Sequence, residues 1–185
     1  MRLYTCLKNN IHKDKNFSIV PLRSQDRYSI MEWRNEQMYH LRQNAPLTKE
    51  LQDKYFDNVV EKLFNQINPS QILFSFLEND FCIGYGGLVH INWIDKNAEI
   101  SFIMNTELEK GRFTELWSVF LSLIETVAFK ELKMHKLYVY AFDLRPHLYS
   151  TLSMNNYFKD ATLREHCLYD NSFIDIIIHS KINKA

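Results

Sequence analysis

Residues 81–105 read FCIGYGGLVHINWIDKNAEISFIMN, two apolar runs separated by the polar step Asp95-Lys96-Asn97. Runs of this length, rich in β-branched and aromatic residues and bounded by turn formers, predict two antiparallel strands, Phe81 to Ile91 and Ala98 to Asn105. Glycines in a strand interior mark a bulge or a close approach of another backbone, so Gly84-Tyr85-Gly86-Gly87 predicts one or the other. Upstream, Gln71 to Leu77 joins the pair through Glu78-Asn79-Asp80, which makes a three-strand meander.

Further upstream, Phe17 to Leu22 reads as a short strand stopped at Arg23-Ser24-Gln25-Asp26. Ile30, Met31, Trp33, Met38 and Leu41 recur at helical spacing and predict a helix from about Asp26 to His40. Asn44-Ala45-Pro46-Leu47 breaks it. Thr48 then suits the N-cap of a second helix with Leu51, Tyr55, Phe56, Val59, Val60, Leu63 and Phe64 on its buried stripe. Downstream, Thr114 to Leu132 is apolar over most of its circumference and should be a central helix. A strand, Lys136 to Phe142, follows, and Pro146 fits the first turn of a short helix. Phe158 to Tyr169 and Phe173 to His179 form a hairpin closed at Asp170-Asn171. The order is β-α-α-β-β-β-α-β-α-β-β, an α/β (α+β) pattern. Residues 17–181 make one domain, and residues 1–16 read as an N-terminal extension.

Composition narrows the function. Lys plus Arg and Asp plus Glu are 22 each, with no long run of one sign, which argues against a nucleic-acid partner. Cys6, Cys82 and Cys167 match neither a zinc spacing nor a disulfide framework, so reduced thiols in a cytoplasmic protein are expected. The first residues mix Lys, Asn, His and Asp with apolar ones, unlike a signal peptide. Leu116 to Phe129 carries Ser118, Ser122, Glu125 and Thr126 and is too short and polar to span a bilayer, so no membrane partner is expected. His90, His135, His166 and His179 lack metal-ligand spacing, and no metal is expected.

The element order, together with Trp33-Arg34-Asn35, Ile83-Gly84-Tyr85-Gly86-Gly87, Ala98-Glu99-Ile100-Ser101-Phe102 and Asn156-Tyr157-Phe158, resembles the GNAT superfamily of N-acyltransferases over nearly the whole chain. Asp143-Leu144-Arg145-Pro146-His147 is similar to a pattern in the sugar-amine and ribosomal-protein acetyltransferase branches. The resemblance implies a mixed sheet of about six to seven strands with helices on both faces. It also implies that the strands holding Ala98–Asn105 and Lys136–Phe142 splay apart. It further implies acetyl transfer from acetyl-CoA to a primary amine. The leading acceptor is an amino-sugar nucleotide for surface glycans. The alternatives are a protein N-terminus, a polyamine, or a non-catalytic binding module of the same fold. The many aromatic residues would support a homodimer.

Such transfer needs a neutral amine, a stabilised carbonyl oxygen and a stabilised leaving thiolate, with no covalent enzyme intermediate. Positioning alone supplies roughly 7–11 kcal/mol in well-oriented systems. The family's diphosphate loop falls on Leu108–Phe113, where only Gly111 of its glycines remains. Lys110, Gly111, Arg112, Phe113 and Thr114 are therefore the expected diphosphate contacts at a helix N-terminus, with the two cations offsetting the missing glycines. The bland alternative is a surface turn with a solvated Lys-Arg pair. The resemblance assigns Phe102, Ile103, Met104 and Arg145 to the cofactor as well. Many members carry Asn at the Arg145 position.

Glu99, at the head of its strand, could accept the amine proton. Otherwise it is a solvent-facing strand residue. The family's thiolate-protonating Tyr aligns with Leu152, so Tyr149, three residues earlier on the same helical face, stands in as the acid. His147 is a further acid or base candidate. A core tyrosine and a solvated helix-start histidine are the plain alternatives. Arg34, Arg42 and Gln43 flank the interhelical connection and suit an acceptor's phosphates. Tyr85 and His90 could stack on its base or sugar.

Overall fold

The structure is a computed structural model and describes residues 2–184. One sheet of eight strands runs through it in the order β1-β2-β3-β4-β5-β6-β8-β7. The strands are β1 His12–Asp14, β2 Phe17–Pro21, β3 Ile72–Glu78, β4 Phe81–Asn92, β5 Asn97–Met104, β6 Lys136–Phe142, β7 Phe158–Tyr169 and β8 Ser172–Ile182. All neighbouring pairs are antiparallel except β5 with β6, which are parallel. Two turns close tightly for a local reason. Asn79 and Asp80, and again Asp170 and Asn171, all take positive φ, the geometry of two-residue hairpin turns whose twist matches the strands.

Helix α1 (Arg27–Glu36) leads through a short 3-10 turn, Met38–His40, to α2 (Lys49–Tyr55). The Thr48 side chain accepts from the Leu51 N–H, which makes it the expected cap. A π-helical turn, Phe56–Val60, carries α2 into α3 (Glu61–Leu63). That turn rotates the apolar stripe, so Leu51 is half exposed and Val59 also faces solvent, while Phe56, Val60, Leu63 and Phe64 are buried. Helix α4 (Thr106–Glu125) extends through a second π-helical segment, Thr126–Glu131, and α5 is Pro146–Met154. No helix among the described residues is long and apolar enough to cross a membrane.

The helices cover both faces. Phe102 of β5 stacks on Phe120 of α4 at 4.0 Å and meets Trp117 edge-on, with Phe76 of β3 against the same group. Tyr85 and Ile103, paired across β4 and β5, lie on the other face, where the Tyr85 hydroxyl meets Arg34 of α1. The glycines of β4 answer to close backbone approach: a Cβ at Gly86 would stand 2.2 Å from the Ser101 carbonyl oxygen, and one at Gly87 would stand 1.9 Å from that of Ile72.

Eight strands exceed the six to seven expected because β1 comes from the segment read as an extension. Its three residues are too short to show alternation in sequence. Tyr4 anchors the same segment: its ring is 1% exposed, and its hydroxyl both donates to the Leu73 carbonyl and accepts from the Leu73 N–H.

Candidate active site

The site is a consequence of strand register. β5 and β6 pair only at Asn97–Lys136, Ala98–Leu137 and Glu99–Tyr138. Beyond Glu99, β5 stays with β4 and β6 stays with β8, so the two strands diverge. The peptide groups of residues 100–104 that point away from β4 have no strand partner. The gap encloses a solvent-open space of about 590 Å³, with Glu99 at its apex and Ser101, Ile103, Trp117, Tyr140 and Arg145 along its walls. An extended chain with amide groups can lie against such an edge by strand-like hydrogen bonding.

Glu99 is buried, and each of its carboxylate oxygens is held. Arg42 Nη2 donates to Oε1 at 2.5 Å, and His90 Nδ1 lies 2.8 Å from Oε2. Arg42 also stacks over the Tyr140 ring at 4.6 Å. His90 reaches Glu99 because β4 bulges: Val89 pairs with Glu99 and Asn92 with Asn97, so His90 and Ile91 together oppose Ala98. His90 takes φ of 48°, a conformation in which His is enriched among non-glycine residues.

The start of α4 corrects the sequence reading. Asn105 caps it by accepting the Glu107 N–H on its side chain and the Leu108 and Glu109 N–H groups on its carbonyl. Lys110, Gly111, Arg112, Phe113 and Thr114 are thus helical residues with their amides turned to the carbonyls of the preceding turn, and no loop exists there to cradle a diphosphate. The first turn instead carries Glu107 and Glu109. Lys110 binds Glu107, and Arg112 is divided between Glu78 and Glu115, which raises its pKa further. Phe113 is buried against Trp117, with the His147 ring edge-on to it. Thr114 is bonded to Thr151. The splayed strand edge therefore fits the amide-bearing arm of a CoA thioester, whereas the expected diphosphate loop does not form.

The sequence matches the profile of the acetyltransferase (GNAT) domain over residues 19–178. The chain belongs to the GNAT acetyltransferase family. This GNAT domain is an N-acetyltransferase. Its fold is similar to the spermidine N-acetyltransferase of Vibrio cholerae in complex with CoA and spermine, at 17% identity and a TM-score of 0.77, over 91% of this chain and 96% of that one. Variant forms of the spermidine/spermine N-acetyltransferase of the same organism match at 16% identity and a TM-score of 0.75, over 91% and 95%.

The GNAT cleft gathers some of the expected residues and leaves others aside. Phe102 and Ile103 line it. Met104 does not: its side chain is buried and its carbonyl accepts from Gln37. Arg145 lines the cleft from the N-terminus of α5, buried and fixed by Glu109 at 3.2 Å and His40 Nε2 at 3.2 Å. Burial and Arg145 push the His40 pKa down to about 3, so His40 is a neutral acceptor. Tyr149 turns away from the cleft, since its hydroxyl donates to Asp143 and its ring stacks on His179. Burial and Asp143 raise its pKa, and it is not placed to act as the acid. His147 is exposed on a separate groove with Tyr39 and Lys110. Arg34 binds Tyr85 and Gln43, and Gln43 binds Asn35, a network that braces the α1–α2 connection rather than facing the cleft.

Sequence reasoning missed Tyr140, His40 and Trp117. Tyr140 was findable: on β6 it alternates with the buried Leu137 and Val139, which places it on the opposite face.

Proposed function

We propose that this acetyltransferase acylates a primary amine held beside Glu99, at the apex of the β5–β6 cleft. The observation that carries this reading is the divergence of the two parallel strands immediately after a buried carboxylate. Acetyl-CoA brings the activated acyl carbon. Unpaired N–H groups on β5 offer hydrogen bonds to the carbonyl oxygen as it gains charge, a donor arrangement whose loss typically costs roughly 10²–10³-fold in kcat. The Glu99 cluster supplies the proton-accepting equipment that the amine needs.

For the acceptor, a polyamine ranks first, supported by the spermidine and spermine named for the structural neighbours. This reverses the order suggested by the sequence resemblance. The amino-sugar nucleotide is the second reading, favoured by the half-exposed Arg42 guanidinium stacked on Tyr140 beside Glu99, a surface suited to an anionic, ring-bearing acceptor. The three free thiols support a cytoplasmic site of action.

Purified protein offered acetyl-CoA with spermidine, spermine, amino-sugar nucleotides and N-terminal peptides should release CoA with the polyamines. Turnover with amino-sugar nucleotides alone would transfer the assignment to the second reading. No CoA release from any amine, with no heat of acetyl-CoA binding, would leave a non-catalytic member of the fold.

A further inference from the structure

We infer that the base of this acetyltransferase is Nε2 of His90, with Glu99 as the residue that positions it; the inference rests on the amine-acetylation reading above. Two facts disqualify Glu99 as the direct acceptor. Its carboxylate is only 6% exposed, and both of its oxygens are engaged, one by a guanidinium at 2.5 Å. With both oxygens occupied and the side chain buried, neither oxygen is open to an approaching amine proton.

The same contacts prepare His90. A carboxylate oxygen can only accept, so the proton in the 2.8 Å contact belongs to Nδ1, and in the neutral ring that tautomer carries its lone pair on Nε2. The imidazole side chain is 60% exposed, and among the described residues nothing holds Nε2. A buried carboxylate that fixes the tautomer of a histidine and leaves its other nitrogen open is a recurrent catalytic arrangement, and here that carboxylate itself lines the cleft. Here the geometry is costly to build. It needs a β-bulge and a non-glycine residue at φ of 48°, and bulges of this kind re-aim a side chain.

The step balances as follows. The amine nitrogen bonds to the acyl carbon and gives up an N–H proton to the Nε2 lone pair, while the electron pair of the broken N–H bond stays on nitrogen. The carbon–sulfur bond then breaks, and its electron pair leaves on sulfur. Glu99 stabilises the imidazolium until Nε2 returns its proton to solvent.

Two measurements test this. In nitrogen-15 NMR of the wild type, His90 should show the Nδ1–H tautomer, and Glu99→Ala should shift it toward Nε2–H; a wild-type Nε2–H tautomer overturns the inference. In kinetics, His90→Gly suits the positive φ and opens a space for imidazole. It should lose about 10²-fold or more in kcat, with the KM for acetyl-CoA unchanged, and recover on addition of free imidazole. Glu99→Gln keeps an oxygen for the Nδ1 proton and should lose less. A dead Glu99→Gln beside an active His90→Gly, or a His90→Gly loss that imidazole leaves untouched, overturns it. A wild type inert to every amine fails the acetylation reading instead, and the tautomer measurement still decides the dyad.

Discussion

Replacing Gly111 with alanine should stabilise the protein. Gly111 lies in the interior of α4, and a Cβ built there meets no heavy atom within 4 Å. With no clash to offset, the change in helix propensity remains, about 0.8–1.0 kcal/mol in favour of alanine. For a chain of this size each kcal/mol moves the melting temperature by roughly 2–4 °C, so calorimetry should record a rise of that order. The KM for acetyl-CoA should stay within about twofold, because the amide at 111 is already spent inside the helix. A fall in melting temperature, or a KM raised tenfold while stability is unchanged, would refute the reasoning. Either result would mean that Gly111 serves a loop conformation or a close phosphate approach that α4 as described does not allow.

Tyr4→Phe should destabilise the fold by about 1–3 kcal/mol in urea titrations, because it strands the buried Leu73 N–H, while the Leu73 carbonyl keeps the Leu22 N–H; an unchanged midpoint would show that the N-terminal segment contributes little. His40 gives a pH dependence whose sign follows from its folded pKa of about 3 against an ordinary 6.5. The folded state binds fewer protons than the unfolded one, so this contribution is complete above pH 6.5 and erodes as pH falls toward 3. Denaturant titrations at pH 7.5 and 5 should show a loss of stability that is smaller in His40→Gln; equal losses in the two proteins would remove His40 as the cause.

Much of the site's frame was legible in residues 71–105, because strand alternation and polar turns act between near neighbours. The apex residue, Glu99, was legible from its strand. The helix-forming run after Asn105 was not read as helix, since the family's loop was expected there; the Asn105 cap and the acidic first turn were the available signal.

The sequence by itself determined the element order, the meander, the two hairpin turns and the buried face of α4, all of which follow from local dihedral preference and hydrophobic period. Only the tertiary structure decided that β5 and β6 part after Glu99, that Arg42, 57 residues away, closes one carboxylate oxygen, and that a bulge swings His90 onto the other. The physical reason is that a gap arises when each strand is better paired with its outer neighbour. That balance of registers across the whole sheet is carried by no single stretch of chain.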